Sequence, residues 1–434
     1  MRNTTLTALL AGMLLLAACG DGQTSDTTPP DGEQGEEVGG APASATRTVG
    51  DRENADLLIW ADQQPIPALQ VLAEDFEADH GVQVAIQEVG FDDIRGQLQS
   101  AGPAGEGPDL VVGAHDWLGE LVTNGSVASI DLPEPERFED VALEAFTWEG
   151  QLYGLPHAIE NLALYRNTEH VPEAPETWEE LADTALRLQS EGAVAQGLMI
   201  PASQEEAPYH LQPLFTALGG YVFAQQDDGT YDATDVGIDN DGGLEAASTL
   251  RQWVEDGLIN PDVDGAIQQE RFSAGEVAFA ISGPWALQQD GRGFEETGVE
   301  FEVSPFPTLE GSTMQPFVGV QGMMASAFSD NLLLAKTFLT QVMTTDRAQL
   351  AMFEANTRPP ALTSAFEEVV ADDPSMAAFG EAGVEGQPMP AVPAMSTVFS
   401  AMGGAYRLVL TGGAEPEQAM QDAARQVRQA VDAG

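Results

Sequence analysis

From Leu57 onward, short apolar runs alternate with longer segments whose apolar positions recur every three or four residues. Leu57-Leu58-Ile59-Trp60 reads as a strand. Ala68, Leu69, Val71, Leu72 and Phe76 then keep helical spacing until Gly81, and residues 82–86 alternate as a strand should. Residues 92–101 read as a helix stopped by the Gly/Pro-rich "AGPAGEGPD". Residues 109–114, "DLVVGA", form the next strand, and "HDWLGELVTNG" begins another helix. Strands follow at 163–167 and 195–201. Between them lies the helix of "TWEELADTALRLQSEG", which opens with Thr177 as its N-cap and Glu180 three residues later. Leu244, Ala247, Leu250, Trp253 and Val254 share one face of a further helix, and helices dominate from Asn331 to the end. Strands alternating with helices imply an α/β chain with mostly parallel sheets covered on both faces. At 434 residues there is material for two or three domains.

The first residues follow a different pattern. After Met1-Arg2 an apolar run from Leu6 to Leu16 ends on Leu16-Ala17-Ala18-Cys19-Gly20. It is too short to span a bilayer and reads as a secretory signal over residues 1–18. Its ending resembles a bacterial lipobox, which would make Cys19 the lipidated first residue of the mature protein. An ordinary signal peptide with an incidental cysteine is the alternative. Cys19 is the sole cysteine, so the chain can form no internal disulfide. Residues 19–54 are rich in Gly, Pro, Thr, Ser, Asp and Glu with almost no large apolar side chain, the composition of a disordered acidic tether.

Charge narrows the range of partners. Seventy acidic residues face 16 basic ones, for a net charge of −54, and Lys336 is the only lysine. Nucleic acid is excluded, because neutralising phosphates takes Lys and Arg. Anionic substrates are disfavoured for the same reason. The acids are spread along the chain, which points to a halophilic acidic protein adapted to a salty exterior rather than to one local function.

Eight segments, in one order over residues 56–434, resemble the maltose- and maltodextrin-binding proteins of bacterial ABC importers. They are "GEGPDLVVGAHDWLGEL", "FTWEGQLYGLP", "AIENLALYRN", "PETWEELAD", "YDATDVGIDNDGG", "FSAGEVAFAISGPWA", "PFVGVQG" and "PMPAVPAMS". The resemblance implies the two-lobed periplasmic-binding-protein (Venus-flytrap) fold. Each lobe would be a mainly parallel sheet flanked by helices, and hinge strands would cross between them. Lobe 1 is expected at 55–158 plus 323–370, and lobe 2 at 159–322 plus 371–434. The implied protein is a lipid-anchored monomer on the extracellular face of the cell membrane, or on the periplasmic side if an outer membrane is present. It would hand a small neutral sugar or oligosaccharide to the transmembrane subunits of a permease.

Sugar hydroxyls want strong hydrogen-bond partners such as carboxylates, and sugar C–H faces want flat aromatic rings. Asp116, just after a strand, matches a sugar-binding aspartate of the family, although Asp there could equally be a helix N-cap. Glu160 matches a ligand-binding glutamate, with a solvated hinge acid as the alternative. His115 reads as a structural hydrogen-bonder. By itself the run 279–287, "FAISGPWAL", leaves Trp285 open between core and display. The resemblance places it and Tyr209 against the sugar, with Phe399 where a tryptophan platform is common. Trp117, where relatives carry an arginine, is a further candidate ligand contact, and Asp62, Gln63 and Gln64 are polar candidates in the loop after Trp60. Trp60, Trp148, Trp178 and Trp253 read as core.

Gly113, Ala207 and Gly403 depart from the maltose-contact pattern. The sugar is therefore left open among maltose, maltodextrin, trehalose, another α-glucoside and a glycosyl-type compatible solute. No catalytic motif, metal-ligand spacing or phosphate loop supports an enzyme, and no cofactor is expected. The acidic stretch 239–245 lacks the ligand spacing of a calcium loop. A secreted carbohydrate-active enzyme and a peptide or polyamine binder are the rival readings.

Overall fold

In the computed structural model of the chain, the described residues are 48–50, 53–226, 230–288 and 292–433. The expected signal segment, Cys19 and nearly all of the expected tether lie outside them. Two sheets organise the rest, within one unit spanning Thr46–Gly434.

The first sheet runs in the order Thr48–Val49, Val84–Glu88, Leu57–Ala61, Leu110–Ala114, Phe317–Ser326, Gln387–Pro388. Gly154–Asn161 and Val127–Ala128 also pair with Phe317–Ser326. Leu57–Ala61 and Phe317–Ser326 are buried along their whole length, as strands covered on both faces must be. The second sheet has the order Gln196–Met199, Val277–Ser282, Ala163–Asn167, Phe301–Ser304.

Strand direction corrects the expectation of mainly parallel sheets. Leu57–Ala61 is parallel to both Val84–Glu88 and Leu110–Ala114, and Gln196–Met199 is parallel to Val277–Ser282. The long strands Gly154–Asn161 and Phe317–Ser326 run antiparallel to each other, and Ala163–Asn167 is antiparallel to both of its neighbours. Gly154–Asn161 leaves the first sheet and, after Leu162 alone, becomes Ala163–Asn167 of the second.

Local signals explain most boundaries. Helix Ile66–His80 starts with Pro65 just before it and stops at Gly81, whose φ of 69° suits glycine. Helix Trp178–Ser190 is capped by Thr177, whose hydroxyl accepts from Glu180 N at 3.2 Å. Glu180 turns its carboxylate to Glu176 N at 3.0 Å, one residue earlier than a reciprocal capping box would place it. The expected helix after Leu110–Ala114 begins as a single tight turn, His115–Trp117, before the helix Leu118–Thr123. In the acidic stretch, Asn240 caps helix Asp241–Glu255 and Asp239 pairs with Arg428.

The apolar side chains form two large cores and a smaller one. The first gathers residues from 57–155 and 320–365, and the second draws on 162–317 and 389–427. The smaller one joins Tyr165, Phe272 and Phe294 to Met376 and Phe379. Trp60 and Trp178 are buried, while Trp148 and Trp253 are half-buried against the cores, Trp253 with its ring 4.9 Å from that of Trp178.

Candidate functional site

Parallel strands deliver side chains to a common edge, the place where open α/β sheets present ligand-binding loops. In the first sheet the neighbours Leu57–Ala61 and Leu110–Ala114 end at Asp62 and at the His115–Trp117 turn. In the second, Gln196–Met199 and Val277–Ser282 end in the segments carrying Tyr209 and Trp285. Glu160 comes from the antiparallel pair, where it stands opposite Gly319. A side chain at 319 would press on Glu160 Cγ at 3.1 Å, so glycine there leaves the carboxylate room.

Of these, Glu160 and Trp285 meet at Arg358, and Asp62 and Tyr209 are near enough to feel its charge. Its Nε is ion-paired with Glu160 Oε2, and its Nη1 donates to Gln64 Oε1 at 2.9 Å. Its guanidinium carbon lies 5.5 Å from the centre of the Trp285 ring. Gln321 donates from Nε2 to Glu160 Oε1 at 3.1 Å. Asp62 and Asp116 are near enough to feel the Glu160 charge. Burial raises the Asp62 carboxyl, with Arg358 opposing. Burial pushes Asp116 up to about 7, with Arg95 opposing and Glu160 and Glu120 adding to the rise.

The aromatic wall is built from the second sheet. The Tyr209 and Trp285 rings are 6.0 Å apart, Phe317 lies 6.3 Å from Tyr209, and His210 meets Trp285 edge-on at 6.2 Å. Trp285 packs one face down on Gly283, where an added Cβ would come within 2.1 Å of the ring. Arg358 lies over the same ring. The Tyr209 hydroxyl and Gln321 Oε1 are buried without a partner, which leaves polar capacity unspent beside the carboxylates.

His115 is a structural hydrogen-bonder, as expected. Its Nε2–H donates to Met389 O at 2.8 Å, and its Nδ1 accepts from Val320 N at 3.1 Å. That fixes one neutral tautomer, and burial lowers its pKa. Helix Met395–Leu410 packs on both the His115–Trp117 turn and helix Ala207–His210. It carries Phe399, which is half-buried against the second core.

Two candidates sit differently from expectation. Trp117 is 6% exposed, in the first core; its ring covers Gly113, lies 4.9 Å from Phe91 and has Arg95 over it at 5.9 Å. It is packed rather than displayed, and it fills the space that a large side chain at 113 would take. Gln63 is exposed, and its neighbour Gln64 makes the contact with Arg358. Gly403 also has a steric cause: a Cβ there would lie 2.0 Å from Gln204 O. Ala207 is fully buried beside Glu206, whose carboxylate accepts from Ser203 and from Gly265 N.

Sequence reasoning missed Arg358. It follows Thr357, a buried residue at φ 56° that ends helix Asp346–Asn356 and donates its hydroxyl to Pro284 O at 2.8 Å. The one available signal was a rare cation in front of two prolines.

Two crossing α/β sheets with a polar and aromatic cluster where their strand ends meet define a solute-binding architecture. The profile of the bacterial extracellular solute-binding protein family matches residues 71–378, and the chain belongs to that family. Among its relatives, a galactooligosaccharide-binding protein of Bacillus subtilis is 27% identical over 90% of this chain and 93% of its own length. A maltodextrin-binding protein of the same organism is 30% identical over 68% of this chain and 71% of its own. A maltooligosaccharide ABC transporter solute-binding lipoprotein of Streptococcus pneumoniae is 26% identical over 98% and 96%.

Proposed function

We propose that this protein is the substrate-binding component of an ABC importer, and that it takes a neutral oligosaccharide between its two halves and presents it to the permease. The observation that carries this reading is the composition of the cluster around Arg358. Carboxylates at 62, 116 and 160 come from the first sheet, and the rings of Tyr209 and Trp285 from the second. Asp62, Asp116 and Glu160 would accept sugar hydroxyls, and Tyr209 and Trp285 would cover ring faces. Phe399, on the helix that touches both corners, is a secondary aromatic contact. The lobes are residues 55–158 plus 323–370 and 159–322 plus 371–434, hinged where Asn161 passes through Leu162 into Ala163.

Cys19 would carry the lipid that moors the protein at the outer face of the membrane, with residues 19–54 as its leash. The Streptococcus relative is named a lipoprotein, which supports that mooring. Maltodextrin or a related α-glucoside fits the names of two relatives, and a galactosyl oligosaccharide fits that of the Bacillus relative that covers most of the chain. Binding without catalysis is the activity.

The test is a thermal-shift and calorimetric screen of the mature domain in molar salt against maltodextrins, trehalose, galactooligosaccharides, polyamines and peptides. A shift with one saccharide series alone supports the reading, and a response confined to polyamines or peptides refutes it. Release of glucose from maltotriose would make the protein an enzyme.

A further inference from the structure

Behind the aromatic wall lies a cavity of about 740 Å³, within the roughly 300–1,000 Å³ range of small-molecule sites. It is lined by His210, Gln268, Gln269, Ser282, Trp285 and Arg292 among others, and it shares His210 and Trp285 with the cluster around Arg358. The position follows from the fold, because Ser282 ends the strand that leads into Trp285 and helix Gly265–Ser273 supplies the opposite side.

The wall is rigidly built. Gln268 Nε2 donates to Met199 O at 2.9 Å and to Ile281 O at 3.0 Å, while Gln269 Nε2 donates to Ala286 O at 3.1 Å and to Arg292 O at 2.8 Å. His210 is 7% exposed, and its Nδ1–H donates to Glu206 O at 3.0 Å. That leaves Nε2 as an acceptor, and it has no partner. Burial lowers the ring to about 4, so it stays neutral at physiological pH. The carboxylates of Glu206 and Glu270, the Arg292 guanidinium, amides, hydroxyls and a neutral imidazole set beside one indole and small apolar residues give hydrogen-bonding groups next to a flat apolar face, which suits a hydroxylated ring better than a hydrocarbon.

We infer that this cavity is a further saccharide subsite, so that a ligand longer than a disaccharide passes the edge of Trp285 and lodges its next ring against His210 and the Gln268–Gln269 face. The inference rests on the oligosaccharide reading above and adds to it where the extra ring goes. Ala266 and Ala274 line the same cavity and are exposed, so a large side chain at either can fill its mouth without disturbing a core.

The experiment measures affinity for maltose, maltotriose and maltotetraose, and for the matching galactosyl series, with the wild-type protein, Ala274→Trp and Ala266→Trp. The expected result is a gain of at least tenfold from disaccharide to the longer ligands in the wild type. In both variants the gain should fall below twofold while disaccharide affinity stays within twofold of wild type. Equal affinity for all lengths in the wild type, or a length gain that survives both substitutions, overturns the subsite and leaves the oligosaccharide reading standing. Absence of binding to every saccharide overturns both.

Discussion

Arg358 and Trp285 form a stacked pair, with the guanidinium 5.5 Å from the ring centre while its Nε is ion-paired with Glu160. Gly283 lies against the same indole. A sugar ring stacking on the face under Arg358 would have to take the place of its guanidinium, and a hydroxyl reaching that Glu160 oxygen the place of its Nε. In this structure Arg358 ties the aromatic wall to the carboxylate.

Replacing Arg358 by Met should separate these two roles. Both partners are mostly buried, with side-chain exposures of 15% and 11%. Removing one member of a buried ion pair leaves the other charge unpaired, so unfolding stability should fall by about 3–5 kcal/mol. With the competitor gone, affinity for the best saccharide should rise, by about tenfold. Denaturant titration and calorimetry measure the two effects. A drop in affinity would instead identify the guanidinium as a direct ligand contact.

The two tryptophans that flank the carboxylates should respond in opposite ways. Trp285→Ala removes a half-buried ring from the aromatic wall, so it should weaken saccharide binding by about 1–3 kcal/mol with a smaller loss of stability than at a fully packed site. Trp117→Ala empties a packed site over Gly113 and beside Phe91, so it should destabilise the fold by about 3–5 kcal/mol. Unchanged affinity in Trp285→Ala for the best ligand would remove that residue from the binding site.

Asp116 gives the site a pH signature. Burial raises its carboxyl to about 7 against the 3.8 of an ordinary aspartate, so the folded protein holds a proton that the unfolded chain has already lost. Between about pH 4 and 7 the folded state binds more protons, and this residue's contribution to stability falls as pH rises through that window, levelling off above it. Ligand affinity should run the other way, because an ionised carboxylate is the stronger acceptor. The expected outcome is saccharide binding that tightens from pH 6 to 8 with a midpoint near 7, and a flat profile in Asp116→Asn. A wild-type profile as flat as that of the variant would show that Asp116 does not meet the ligand.

What the sequence made legible follows from locality. Strand Leu57–Ala61 is an unbroken apolar stretch, and Asp116 and Trp285 stand within three residues of a strand end, so periodicity and the family segments place all three. Strand direction was not legible, because a buried strand has the same composition whether its neighbour runs with it or against it. Trp117 was misjudged because its burial depends on Gly113 making room, a contact across a turn that no periodicity encodes. Arg358 was invisible for a further reason. Its partner Glu160 is 198 residues away, and the left-handed Thr357 that aims it toward the cluster looks like any loop residue.

Salt dependence provides the last prediction, and it concerns the whole chain. With 70 acidic side chains against 16 basic ones, several basic residues are already committed to pairs: Arg358 to Glu160, Arg428 to Asp239, Arg166 to Glu302 and Arg95 to Glu120. Most carboxylates therefore face one another across solvent, and their mutual repulsion opposes the compact state. Added salt shortens the reach of that repulsion from about 10 Å at 0.1 M to about 3 Å at 1 M. The buried pair at Arg358 is screened far less than the surface, so the gain should come from the repulsion and not be cancelled by weakened pairing. Melting temperature should climb steeply between low salt and 2 M sodium chloride in scanning calorimetry, with the larger part of the rise at the low end. A melting temperature flat across that range would mean that the acidic surface imposes no strain on the fold, and the reading of a salt-adapted exterior would fall with it.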